Sequence, residues 1–179
     1  MYKKLVVALL VINLAIAALS ISYYFQIQGI NKDLLGKYIL VQHNISEYLN
    51  NAVDAYNAGD NDSLIINLHY ASGEFLAVEK IIAPGTSVGH HTNASELMYS
   101  IHSSQKNFIA DFLEKALNEA LSEKDISRLF SFAKAMDHYA GLLDYDEITS
   151  ERSPRRIVSI IDDKLDQVSQ LYTGDGFNQ

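Results

Sequence analysis

Six histidines, 22 carboxylates and no cysteine set the chemistry this 179-residue chain could attempt. The most conspicuous cluster is Gly89-His90-His91-Thr92, a histidine pair in a glycine-bordered stretch. Imidazole is a common ligand for zinc, copper and nickel, and His102, His138, Glu96 or Asp137 could complete a site if the fold brought them close. Adjacent residues rarely aim both rings at one ion, however, and the chain has no H-E-x-x-H, no Glu-x-x-His pair and no thiolate. The pair therefore reads as a solvated loop whose protonation follows pH, and no metal or other cofactor is expected.

Nucleophile patterns are equally thin. Ser103-Ser-Gln-Lys106 and Ser131-Phe-Ala-Lys134 have the S-x-x-K spacing of serine acyl enzymes, but the companion S-D-N and K-T-G motifs are missing. Both lysines are expected to face solvent. Asp60-Asn-Asp62 and Asp144-Tyr-Asp146-Glu147 begin like calcium loops but lack the glycine at position six and the glutamate at twelve, so they read as helix caps. Tyr38, Tyr48, Tyr56, Tyr70, Tyr99, Tyr139 and Tyr145 are expected mostly at the boundary of the core, rings covered and hydroxyls wet. Any that are exposed would suit a protein partner. No catalytic residue can be assigned, and the expectation is a protein without catalytic activity.

The elements that would position these residues are helices. Leu34, Tyr38, Val41, Ile45, Tyr48 and Ala52 alternate in steps of four and three, ending near Ala58-Gly59. After a cap in Asp60 to Ser63, Leu64, Leu68, Ala71, Phe75, Val78 and Ile82 repeat the spacing until Pro84-Gly85. A loop to Asn93 precedes a third helix with Leu97, Ile101, Phe108, Phe112 and Ala116 inward, and Ile109, Leu113, Leu117 and Leu121 widening the stripe. Ser122 and Asp125 resemble a capping box opening a fourth, with Ile126, Leu129, Phe130, Ala133 and Ala140. Residues 144–150 read as a surface connection. Ser153-Pro154 opens the last helix, which buries Ile157, Ile161, Leu165, Val168 and Leu171. Short connections make neighbours antiparallel, so the fold class is all-α, an up-and-down bundle of four or five helices over residues 26–173. Residues 174–179 read as a frayed tail.

Ahead of the bundle, Lys3 and Lys4 precede an uncharged run from Leu5 to Asn31, of which 5–25 is long enough as a helix to cross a bilayer. Charge placement predicts residues 1–4 in the cytoplasm and the bundle outside it. Retention as a signal anchor is favoured over cleavage after Ala15-Ile16-Ala17 or Ala18-Leu19-Ser20, because the apolar run continues through Ile21, Tyr23, Tyr24 and Phe25. Within the span, Asn13 with Ala17, and Ala18 with Ser22, have the spacing of small and polar residues that lets a second transmembrane helix approach. Such contact would make homo- or hetero-association possible.

Setting Lys3 and Lys4 aside leaves 12 basic against 22 acidic residues, 12 − 22 = −10, a field that repels nucleic acid and anionic lipid surfaces. The expected function is a single-pass membrane protein whose extracytoplasmic bundle binds a protein partner or small ligand. In outline this resembles helical sensor modules beside bacterial membranes, on architecture alone and without a shared motif. A four-residue cytoplasmic segment would then oblige any signal to pass through a partner. The alternatives are a membrane-tethered hydrolase or metal-binding protein using the His90-His91 loop, and a structural spacer.

Overall fold

The computed structural model describes residues 2–83 and 96–172, with side chains from Leu9 onward in the first helix and from Met98 onward in the third. Among the described residues there are six helices and no strand: α1 Tyr2–Ala58, α2 Asn61–Ile82, α3 Glu96–Leu117, α4 Glu123–Leu142, α5 Tyr145–Ser150 and α6 Pro154–Leu171. The long apolar N-terminal stretch and the first bundle helix are one continuous element of 57 residues, about 85 Å at the usual rise. It carries no proline, and its glycines, Gly29 and Gly36, do not interrupt it.

Burial divides α1 in two. From Leu9 to Phe25 every large apolar side chain is at least 53 % exposed, whereas Asn31, Leu35, Tyr38, Ile39, Gln42, Ile45, Leu49 and Ala52 are fully buried. The buried face differs from the expected one. Tyr38, Ile45 and Ala52 hold their places, but Leu34, Val41 and Tyr48 are only half-buried, and Leu35, Gln42 and Leu49 occupy the centre instead. A stripe chosen for apolar residues passes over Gln42 and so settles a fraction of a turn to one side. In α2, by contrast, Leu64, Leu68, Ala71, Phe75, Val78 and Ile82 are all buried as their spacing requires.

The chain turns sharply ahead of α2. Gly59 has φ +71°, in the left-handed region that favours glycine, and the Asp60 carboxylate then accepts from the Ser63 backbone N–H to open α2. The α3–α4 connection uses Glu119 at φ 52°, followed by the capping box: Ser122 Oγ accepts from Asp125 N–H, and Asp125 accepts from Ser122 N–H. Bonds from the Ser122 hydroxyl and backbone, together with Lys115, hold the Asp125 carboxyl well below the usual carboxylate range. α1 packs on α2, α4 and α6, α2 packs on α3, and α6 closes the bundle against α1, α3 and α4. The Phe75, Phe108 and Phe132 rings meet where α2, α3 and α4 converge.

Three further expectations are corrected. Residues 144–150 form a helical turn rather than a plain surface connection: Asp144 caps α5, Ile148 is buried, and the Tyr145 ring packs beside Gly36 of α1. Leu117 and Leu171 are 61 % and 66 % exposed. Both sit in the last turn of their helices. In α4 the inward face takes in Phe132, Ala135, Met136 and Tyr139 beside Ile126, Leu129, Ala133 and Ala140, whereas Phe130 is only half-buried.

Candidate functional site

Three helices contribute polar side chains to the middle of the core. Tyr38 from α1 meets His102 from α3 with Oη 2.6 Å from Nε2, and Tyr139 from α4 with the two hydroxyls 2.6 Å apart. His102 Nδ1 lies 2.7 Å from Gln105 Oε1, one turn along α3. A side-chain carbonyl only accepts, so Nδ1 carries the imidazole proton and Nε2 accepts from Tyr38. Tyr38 then accepts from Tyr139, and donation runs one way: Tyr139 to Tyr38 to His102 to Gln105.

All four residues are sealed from solvent, none more than 2 % exposed. Burial pushes the His102 imidazole down to about 4, with the Gln105 bond opposing part of that fall, and raises both tyrosine hydroxyls. The imidazole is therefore neutral at pH 7. Tyr38 and Tyr139 correct the expectation of wet hydroxyls: each finds its partner inside the core because the other is there. No substrate reaches this layer without opening the bundle, so its geometry suits specification of the fold rather than turnover.

Gln42, one turn beyond Tyr38, is fully buried and among the described residues neither amide atom has a hydrogen bond; the same holds for Gln105 Nε2. An unmatched buried amide is costly, whereas an apolar side chain of similar shape is not. Gln42→Met is accordingly expected to raise stability by about 1–2 kcal/mol, read as a shift in the urea midpoint. An unchanged or lowered midpoint would mean that the amide is satisfied in solution.

The surface offers a polar groove of about 520 Å³ between α1 and α4, lined by His43, Ser46, Asn50, Asn51, Asp137 and Gly141 among others. Asp137 Oδ1 accepts from Ser46 Oγ at 3.1 Å and from Asn50 Nδ2 at 3.2 Å, while His43 donates from Nε2 to the Leu143 carbonyl at 3.0 Å. These bonds fix the groove walls and leave Glu47 and Asn51 exposed at its rim.

Residues singled out from the sequence are scattered. His90 and His91 lie outside the described residues. Among the described residues no cluster of three histidine, aspartate or glutamate side chains is placed to hold a metal ion. His102 is committed to the core and His138 lies on the surface, edge-on to Tyr172. Asn13, Ala17, Ala18 and Ser22 are all exposed on α1, and Asn13 donates to its own helix at Leu9 O, 3.0 Å away. Lys106 faces Glu79 rather than open solvent, with Nζ 2.8 Å from Oε2, while Lys134 is exposed. No family model, curated protein or solved structure matches the chain. The sequence missed Gln42, Gln105 and the role of His102; polar residues on the buried faces of otherwise regular stripes were their only signal.

Proposed function

We propose that the protein is a single-pass membrane protein that holds a helical bundle just outside the cytoplasmic membrane and acts by binding a protein partner or small polar ligand, without catalysis. The observation that carries this reading is α1 itself. One helix passes without a break from an exposed apolar stretch into the centre of the core, so the bundle stands directly on the membrane with no flexible tether. Lys3 and Lys4 ahead of the run favour a cytoplasmic N-terminus. The binding reading draws support from the prepared walls of the α1–α4 groove and from exposed Tyr56, Tyr70 and Tyr145. Its non-catalytic half draws on the commitment of His102, Tyr38 and Tyr139 to one another.

The chain has no native cysteine, so single cysteines report topology and contacts cleanly. An Asn51→Cys variant in intact cells is expected to react with a membrane-impermeant maleimide from outside. A photocrosslinker at the same position in native membranes is expected to trap one recurring neighbour, identified by mass spectrometry. Protection from the maleimide that is relieved by permeabilising the membrane would overturn the topology. Absence of a recurring neighbour, under conditions that trap other complexes, would overturn the partner-binding reading.

A further inference from the structure

Where the exposed apolar part of α1 gives way to the bundle, α1 and the start of α6 enclose a groove of about 620 Å³. One wall carries Tyr23, Tyr24, Ile27 and Gln28; the other carries Ser153 and Arg155. The groove also reaches Ser20, five residues inside the apolar run that ends at Phe25. It thus spans the level at which lipid gives way to water if α1 crosses the membrane.

Arginine is concentrated at this spot. The chain has only four arginines, and three of them, Arg152, Arg155 and Arg156, fall within five residues at this end of α6. Arg156 is paired, with Nε 3.1 Å from Glu151 Oε2. Glu151 Oε1 accepts from the backbone N–H groups of Arg152 and Ser153, and Lys32 also acts on that carboxylate. Arg155 makes no ion pair among the described residues, and Ser153, although the N-cap of α6, makes no side-chain capping bond. An uncommitted guanidinium and hydroxyl therefore share a groove whose opposite wall is aromatic and apolar.

We propose that this groove binds the headgroup of an anionic phospholipid from the outer leaflet, its phosphate against Arg155 and Ser153 and its acyl chains following α1 past Tyr23 and Ser20. Guanidinium is well matched to phosphate oxygens, and the apolar wall gives a lipid a contact that a free anion cannot use. The inference rests on the reading of α1 as a membrane span. It also supplies a local exception to the repulsion expected from an acidic bundle, since charges more than a Debye length from the headgroup are screened.

The test is native mass spectrometry of the full-length protein in a mild nonionic detergent, offered equal amounts of phosphatidylglycerol and phosphatidylcholine with identical chains. Wild type is expected to retain phosphatidylglycerol preferentially. Arg155→Gln should reduce that preference about fivefold, and adding Arg152→Gln should take the loss to about 25-fold. Arg155→Lys should restore most of it, while Arg128→Gln, where the guanidinium sits over Phe108, should change nothing. Ser153→Ala should weaken retention with α6 otherwise intact, which keeps the test decisive if Arg155→Gln fails to fold. Equal retention of the two lipids, or an unchanged preference in Arg155→Gln and Ser153→Ala, overturns the proposal. Displacement by soluble glycerol phosphate would reassign the groove to free anions. Alkaline carbonate extraction separates the two readings: release of wild type overturns the membrane span itself, whereas a protein that stays integral but shows no preference overturns only the lipid site.

Discussion

Lowering the pH from 7 to 4 is expected to destabilise the bundle by about 3 kcal/mol through His102 alone. Its pKa is about 4 in the folded protein against an ordinary value of 6.5. The unfolded chain therefore binds a proton at this position that the folded chain refuses. Stability is intact above pH 6.5, falls as the pH drops through the interval to 4, and gains no further penalty from this residue below it. The carboxylates act in a different window. Asp60, Asp125 and Glu151 have lowered values in the fold, so their contribution is present above the ordinary carboxylate range and is lost as the pH falls from that range to the lowered values. Urea midpoints at pH 7, 5.5 and 4, taken on the bundle freed of its apolar stretch, should therefore decline already between pH 7 and 5.5, ahead of the carboxylate window. His102→Gln keeps an acceptor for the Tyr38 hydroxyl and removes the titration, so its midpoint should be flat from pH 7 to 5.5 and show only the smaller carboxylate loss at pH 4. An equal decline in wild type and variant would show that the imidazole is hydrated and charged in the fold.

That prediction depends on contacts the sequence does not announce. Tyr38 and His102 are 64 positions apart and Tyr38 and Tyr139 are 101, and nothing in local spacing pairs them. Each interrupts or sits within a regular apolar stripe, and an aromatic or polar residue at such a position has several outlets, including boundary, ligand and core. Only assembly of the other helices selects one. α2 was fully legible because its inward positions are all apolar and its cap and stop are both explicit, whereas the α1 stripe was displaced by the presence of Gln42 on the true face. α5 escaped notice because six residues carry too little periodicity to be read, and what holds them, the burial of Ile148 and the packing of Tyr145 beside Gly36, comes from distant parts of the chain. The groove beside Arg155 depends in the same way on a loop returning to α1.

Removing residues 1–25 is expected to change the partition of the protein completely while leaving its fold in place. From Leu9 to Phe25 the large apolar side chains of α1 touch too little to be covered, and the first fully buried position is Asn31. Exposed apolar surface of this extent is rare on a soluble monomer and is favourable in hydrocarbon by on the order of 3–5 kcal/mol for the aliphatic and phenylalanine side chains. A chain beginning at Gln26 should remain in the aqueous phase without detergent, and full-length protein should require detergent. Because α1 contributes its core residues only from Asn31 onward, the truncated bundle should keep its helical signal and melt cooperatively within a few degrees of the full-length bundle in detergent. The α1–α4 groove lies at His43 to Asn51, away from the cut, so partner capture there should survive truncation. Phosphatidylglycerol preference should be lost with Tyr23 and Tyr24. A truncated chain that aggregates or melts without cooperativity would show that residues 1–25 belong to the fold. One that still sediments with membranes would show that the bundle has a second means of attachment.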